Sequence, residues 1–579
     1  MVFTAGRPKP RTGREIVFSS VRRGTADQTA EKPRIRRFVS KFFCMTGSVV
    51  TPLPLGRSTF AALRAAGAVY VDKTDLVAEL AAEDRKIFLV RPRRFGKSLL
   101  LSTFGSLFEA GLRDFEGLAI SSVWTDRTYD VVRLDFSEVR EFSDADDFKK
   151  KFSRLLRRSF SRVGVGMSDS DEPAEDRIAL WMAGLPVRSL VVLIDEYDAP
   201  LTVCLNDAVL FKDVQAVMSE FFSLLKSQEG CLRFLFMTGI TKFSSTSIFS
   251  AFNNLRDISL DTRYGTLLGY TEEEMLRYFG PHLEQAAEVL QTNTGSLMKE
   301  LKSYYDGFCF DEAARLHVFC PWSVLNFLTS PARGFKNYWF SSGGQTSVLM
   351  KYLENHTLAD PVTYLQPKRV TLGDLSEPRR YSSVSLEVLL FQAGYLTIKS
   401  ADETDSVELG YPNREVAVSM ARLYAGELLR GRTIRPESGL SVLSILSSGS
   451  PSDVADCFNY ALNSIDYQRF PVRDEASCRA YLQVLLIGAA MLPQVEAHTA
   501  RGRSDLEVDA GGRHWVFELK YAADGESAEK KLSEAVGQML SRHYGETMHG
   551  RTLMRMAFVY SGRERRFVAW KTVREAVSD

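Results

Sequence analysis

The chain has 579 residues, too many for a single core and enough for three or four domains at ~150 residues each. Hydrophobic residues make up 45% and charged residues 25%, as in ordinary globular proteins, and a net charge of +1 excludes the whole molecule as an electrostatic partner for nucleic acid. No apolar run reaches the ~20 residues of a membrane helix, so a soluble intracellular protein, cytoplasmic or nuclear, is expected.

Residues 1–50 open with eight Arg and three Lys in the first 41 positions, against Glu15, Asp27 and Glu31. The stretch lacks the apolar core of a secretory signal. A disordered basic tail is the expectation, with an organelle transit segment or a nucleic-acid arm as other readings. Seven cysteines are scattered without a CxxC, which excludes a disulfide framework and a zinc site and suits a reducing compartment.

Residues 51–270 alternate short apolar strands with helical stretches, the pattern of a parallel α/β sheet. Strands are expected at Lys86–Arg91, Asp130–Phe136, Ser189–Glu196 and Arg233–Ile240, each apolar on both faces as in a sheet covered on both sides. Ser168–Asp176 (SDSDEPAED) reads as an exposed loop. At Thr271 the pattern turns helical, with Thr271 as N-cap and Glu274 completing a capping box. Residues 271–400 are expected to form a helical lid or middle domain, in which YYDGFCF and FKNYWF are packing surfaces. Residues 401–470, with the low-complexity SILSSGSPSD, read as a connecting region, and 471–579 as a last α/β unit.

Between the first strand and a helix of apolar periodicity lies RPRRFGKSLLLS (Arg91–Ser102). A phosphate-binding loop has a glycine, four residues, then Gly-Lys-Ser/Thr; here Arg91 holds the first glycine's place. The bland reading is a basic turn before a helix. A loop between strand and helix, however, aims backbone amides and the positive end of the helix dipole at one spot. Arg93, Arg94, Phe95, Gly96, Lys97, Ser98 and Leu99 are therefore nucleotide-binding candidates, Lys97 for the β- and γ-phosphates and Ser98 for Mg²⁺. SLVVLIDEYD ends a strand in Asp195, which would support Mg²⁺ from behind its direct ligands, and Glu196, which would polarise the attacking water. Thr238 ends another strand, where it would sense the γ-phosphate.

These segments, with LPLGRSTFAALR (Leu53–Arg64), YVDKT (Tyr70–Thr74), FNNLRDISLD (Phe252–Asp261) and LLGYTEEEM (Leu267–Met275), follow in the order of the AAA-ATPase-like family of P-loop proteins, which the chain resembles. In that family RPRRFGKS is the normal loop. The resemblance implies ATP binding by an additional-strand P-loop domain followed by a helical lid. Arg256 and Arg263 are arginine-finger candidates, with structural ion pairs as the preferred reading of both.

The second constellation is GRSDLEVDAGGRHWVFELK (Gly502–Lys520). A turn at Gly511-Gly512 pairs Ala510 with Arg513 and, counting back, sets Asp505 opposite Glu518. Opposed carboxylates ~5 Å apart repel unless a cation such as Mg²⁺ or Mn²⁺ bridges them. Lys520 shares the face of Glu518 and would position water or stabilise charge at phosphorus. This D…ExK pattern resembles the PD-(D/E)XK nuclease superfamily, with Ser504 in place of the usual proline. The resemblance adds Glu475 as a helical metal-ligand acid and Gln538 as a helical glutamine.

The fold expected is thus α/β: a P-loop NTPase core with a helical lid, and a restriction-endonuclease-like α/β domain at the C-terminus. The function expected is an ATPase coupled to a Mg²⁺- or Mn²⁺-dependent nuclease acting on nucleic acid, DNA first. The alternative is a nucleotide-dependent switch whose nuclease-like domain only binds nucleic acid or protein.

Overall fold

The structure is a computed structural model that describes residues 50–573, apart from 84–85, 167–172, 243–254, 341–348, 350–362, 365, 377–384, 430–440, 490, 492, 496–497, 500–501 and 546–549. The expected basic tail, the acidic start of the 168–176 loop and Phe252 to Asn254 fall outside the described residues. Residues Thr51–Asp579 cluster as one unit.

Five strands carry the first sheet: β1 (Lys86–Val90), β2 (Asp130–Asp135), β3 (Leu190–Asp195), β4 (Leu232–Gly239) and β5 (Leu255–Asp257). All neighbours are parallel, in the order β2-β3-β4-β1-β5. The first four lie within one residue of expectation because each is an apolar run buried on both faces. Ile87, Leu89, Val191, Leu193, Phe234 and Phe236 join one core, while Phe88, Val90, Val192, Ile194, Leu235 and Met237 join the other. Such double burial is what a parallel sheet with helices on both sides requires. β4 sits between β1 and β3, so the turns after β1 and β3 open at the carboxyl ends of strands, where α/β sheets bind ligands.

The helix Glu272–Val289 starts with the expected capping box, Thr271 Oγ1 accepting from Glu274 N and Glu274 Oε2 from Thr271 N. Helices Thr294–Tyr305, Pro321–Thr329 and Leu386–Ala393 follow, but this region is not helical throughout. It holds β6 (Phe308–Cys309), β7 (His317–Val318), β8 (Lys368–Thr371) and β9 (Thr397–Ala401). β9 pairs with β10 (Ser406–Gly410) in a three-stranded sheet, β8-β10-β9, which spans residue 400. The expected connecting region folds into helices too: Arg414–Leu428, Val442–Ser448 and Pro451–Asn463. Its small polar residues, which read as low complexity, are caps. Ser441 accepts from Ser444 N, and Ser450 and Asp453 form a capping box before Pro451. Ala174–Asp176, expected in a loop, likewise open a helix, Ala174–Ala183.

After the helix Glu475–Gly488 come β11 (Gln494–Val495), β12 (His498–Thr499), β13 (Gly502–Arg503), β14 (Leu506–Ala510) and β15 (Arg513–Ala522). The helix Ala528–Ser541, β16 (Thr552–Ser561) and β17 (Arg566–Thr572) complete the mixed sheet β11-β14-β15-β16-β17. The cluster that holds Ile87 continues through Trp339, Tyr395 and Ile487 to Phe517, so one apolar core runs from the first sheet to the last. No helix among the described residues is long and apolar enough to cross a membrane.

Candidate functional site

Gly96, with φ of +93°, caps the helix Lys97–Ala110 from the left-handed region, which a glycine enters at no steric cost. Lys97 is buried and its ammonium donates to the carbonyls of Arg91 (2.9 Å) and Pro92 (3.0 Å). Burial lowers that lysine to about 8, against the pull of Asp195 and Asp198. Ser98 Oγ donates to Asp195 Oδ2 at 2.6 Å, and Asp195 Oδ1 accepts the Glu196 amide at 3.0 Å. Burial raises the Asp195 carboxyl, while the Ser98 hydroxyl and Lys97 oppose the rise. Residues 93–99 line a cavity of about 520 Å³, which also takes in Glu196. The predicted loop thus converges as expected, with Asp195 joining through Ser98.

Two strand-end expectations change. Thr238 does not line that cavity. β4 runs past it to Gly239, and the fully buried Thr238 hydroxyl donates to the Leu89 carbonyl of β1 at 2.7 Å. The turn after β4 is organised by buried Asp198, whose Oδ2 accepts from the amides of Ile240 and Thr241 and from the Thr241 hydroxyl. Glu196 has φ of +48° and its carboxylate is paired with Arg140, which follows β2 and lines the same cavity. Arg140 was not singled out in the sequence. The signal was there, because β2 is parallel to β3 and its carboxyl end opens on the same side. Arg256 pairs with Glu83 and Asp261, and Arg263 with Glu79, as structural ion pairs.

Arg91 explains the absent glycine. Its side chain is 1% exposed, and Nη1 donates to the carbonyls of Val90 (3.0 Å) and Ser259 (2.6 Å). Nη2 donates to the Tyr264 carbonyl at 3.2 Å, and the guanidinium lies 4.3 Å from the Phe310 ring centroid. Burial lowers Arg91 to about 9 despite Asp257. A cation therefore bolts the loop's root to the chain that follows β5. The rest of the loop rests on the middle region. Phe95 packs edge-on against Phe308 and Phe310, and Arg94 lies 4.2 Å over Trp322. Trp339 Nε1 donates to the Arg93 carbonyl at 3.1 Å. A Cβ on Gly394 would come within 2.6 Å of Pro92. Trp339 N in turn donates to Glu415 Oε1 at 2.6 Å, and Ser323 Oγ to Glu415 Oε2 at 2.6 Å. Full burial pushes Glu415 up to about 8.

In the C-terminal sheet the expected hairpin forms around Gly511 and Gly512, both at positive φ, with Ala510 opposite Arg513 and Leu506 opposite Phe517. Asp505 and Glu518 are the next residues outward. Asp505 Oδ2 accepts the Leu519 amide at 2.8 Å, and its Oδ1 meets Arg479 Nη1 at 3.4 Å. Glu518 is 1% exposed; Oε1 accepts from Lys520 Nζ at 2.9 Å, and Oε2 has no partner among the described residues. Burial, then repulsion from Asp505, raises Glu518 to about 7. Burial alone would lower Lys520, but Glu518, Glu475 and Asp505 outweigh it and raise the ammonium. Glu475 lies 3.6 Å from Lys520 Nζ.

Glu475, Asp505, Glu518 and Lys520 are thus brought together. Gln538 instead donates to the Tyr544 hydroxyl at 3.2 Å. Ser504 donates to Glu507 at 2.6 Å. Arg479, one helical turn after Glu475, was the residue missed; its i,i+4 spacing from Glu475 was the available signal. Among the described residues no three His, Cys, Asp or Glu side chains close into a metal cluster, and Lys520 stands within reach of both glutamates. The donor set nevertheless suits a divalent cation: a buried carboxylate oxygen lacks a partner and a second carboxylate repels it.

Residues 54–249 match the family described as "Predicted AAA-ATPase", and residues 476–570 match the PD-(D/E)XK nuclease superfamily. A curated relative from Azotobacter chroococcum mcd 1, described as an uncharacterized protein in the vnfD 5' region, is 29% identical over 479 residues. That alignment spans 81% of this chain and 89% of the relative. The loop geometry, the D…ExK cluster and the two matches lead to one conclusion: the chain carries an AAA-ATPase-like domain and, after its middle region, a PD-(D/E)XK nuclease superfamily domain.

Proposed function

We propose that the protein hydrolyses ATP at the Lys97 loop and couples nucleotide state to metal-dependent cleavage of nucleic acid, DNA first, at the Asp505–Glu518–Lys520 cluster. Residues 51–270 serve as the ATPase unit, 271–400 as its lid and 471–579 as the nuclease unit. The observation that carries the reading is the unpartnered Glu518 Oε2, a buried carboxyl oxygen beside a second carboxylate.

At the first site Lys97 exchanges two loop carbonyls for phosphate oxygens, whose negative charge favours the ammonium that burial disfavours. The γ-phosphate draws Arg140 off Glu196, and the freed carboxylate takes the proton of the attacking water. A divalent cation, held by Ser98 and Asp195 at one site and by Asp505, Glu518 and Glu475 at the other, would neutralise phosphate charge and polarise phosphorus. At the second site Lys520, raised by its acidic neighbours, stays cationic and stabilises charge at phosphorus rather than acting as a base.

The test is incubation with plasmid and linear DNA, with and without ATP, in Mg²⁺ or Mn²⁺, comparing wild type with Lys97→Ala and Asp505→Ala. Loss of ATP turnover in the first variant and of cleavage in the second is expected. ATP binding with no cleavage under either metal would overturn the nuclease half and favour a switch that only binds nucleic acid or protein.

A further inference from the structure

The middle region holds a second cavity, of about 670 Å³, apart from the phosphodiester cluster. Its walls come from the helices Thr294–Tyr305, Pro321–Thr329 and Arg414–Leu428 and from the segment 333–338. Arg333, Lys336, Arg414 and Arg422 line it and no acidic residue does. Among the described residues none of these four is in a salt bridge. Four cations in one concavity repel one another, and anions relieve that cost. Tyr304, Trp322, Phe335 and Tyr338 supply an aromatic wall beside Asn326, Asn337 and Val418. Tyr304 and Phe335 stack with centroids 4.6 Å apart, Arg414 lies 4.4 Å over the Tyr304 ring, and Trp322 completes the wall.

We propose that this cavity binds single-stranded nucleic acid, with phosphates on the arginines and Lys336 and bases packed against the aromatic wall, where Phe335 is already held between Tyr304 and Phe327. Aromatic side chains interleaved with cations are what unpaired strands require, and a pocket in the ~300–1,000 Å³ class takes single nucleotides rather than a duplex. The scaffold is preformed. Trp322 Nε1 donates to the Tyr338 carbonyl at 3.2 Å, and the Tyr305 hydroxyl bridges the Lys336 amide and carbonyl at 3.0 Å each. That fixes the 333–338 backbone while the Arg333 and Lys336 side chains stay exposed.

The position ties the cavity to both sites. Trp322 also lines the nucleotide cavity and carries Arg94 on its ring. Arg422 Nε donates to the Gly488 carbonyl, the last residue of the helix that starts with Glu475. A 14-residue helix is ~20 Å long, so a strand held here lies about that far from the acidic cluster. The inference rests on the nucleic-acid half of the proposed function and not on cleavage.

The test is fluorescence anisotropy of a labelled oligo-dT strand over a salt series in EDTA, where no cleavage intervenes. Wild type is compared with the surface double variant Arg333→Ala/Lys336→Ala, with thermal melting to verify its fold, and with Arg414→Gln. The double variant is expected to bind at least ~10-fold more weakly and to lose about 1.4 from the salt slope, ~0.7 per phosphate contact on a single strand. Arg414→Gln is expected to weaken binding without the full change in slope. Unchanged affinity and slope in the double variant overturn this inference and leave the proposed function standing. So does duplex binding as tight as the single strand. No strand binding by wild type overturns this inference together with the nucleic-acid half of the proposed function.

Discussion

The two sites use the same ingredients, buried carboxylates and a lysine, and balance them in opposite directions. At the phosphate loop Lys97 rests on two neutral carbonyls and burial lowers it to about 8, while arginines 93, 94 and 140 line the same cavity. That site is short of negative charge. At the C-terminal hairpin Lys520 is surrounded by Glu475, Asp505 and Glu518, and Glu518 is raised to about 7. That site is short of positive charge. A polyanion completes the first and a cation completes the second, which is the physical basis for assigning nucleotide to one and metal to the other.

The sharpest way to probe the first side is Glu196→Gln. It keeps the cations proposed to bind phosphate and removes the proposed base, so ATP binding is expected to persist while turnover falls roughly 100-fold. Equal loss of both would break the division of roles. The next effect concerns how each turn is made. The hairpin turns on Gly511 and Gly512, whereas the phosphate loop is rooted by Arg91 and its three carbonyl bonds. Restoring the conventional glycine, Arg91→Gly, is therefore expected to lower stability by ~3 kcal/mol in denaturant unfolding, because buried acceptors lose a charged donor. A neutral or stabilising result would mean that the arginine is incidental.

A smaller effect tests the link behind the loop. Glu415 is raised to about 8 by burial, from an ordinary 4.5. The folded state then holds a proton that the unfolded chain has released, so its contribution is fully present below pH 4.5 and is lost as pH rises through 8. Glu415→Gln keeps one acceptor, for the Trp339 amide, and offers the Ser323 hydroxyl an amide N–H in place of the second carboxylate oxygen, without that titration. The melting temperature of wild type is expected to fall more steeply than that of the variant over this window. Parallel profiles would remove Glu415 from the account.

Much of this was legible in the sequence because the signals were strong and local. Apolar runs buried on both faces placed four strands, and the Gly-Gly turn fixed the hairpin register that aligns Asp505 with Glu518. β5 escaped because its three residues, Leu-Arg-Asp, present no apolar pattern; it is a strand only because it flanks β1. Thr238 was misplaced for a related reason. β4 ends within a residue of expectation, but the Thr238 hydroxyl is taken up by the Leu89 carbonyl of neighbouring β1, a pairing that the sequence of one strand does not show. Asp198 acts through partners distant in sequence, which no local pattern announces, while Arg140 and Arg479 carried signals, the parallel strand ends and the i,i+4 spacing from Glu475, that show only once their distant partners are placed.

The central claim, opposite charge deficits at the two sites, is tested most directly by counting bound Mn²⁺ by titration in wild type, Lys97→Ala and Glu518→Gln, with and without ATP. The account predicts an ion in nucleotide-free protein that disappears only in Glu518→Gln, and a further ion with ATP that disappears only in Lys97→Ala. The same Mn²⁺ count in all three proteins, with ATP making no difference, would contradict it.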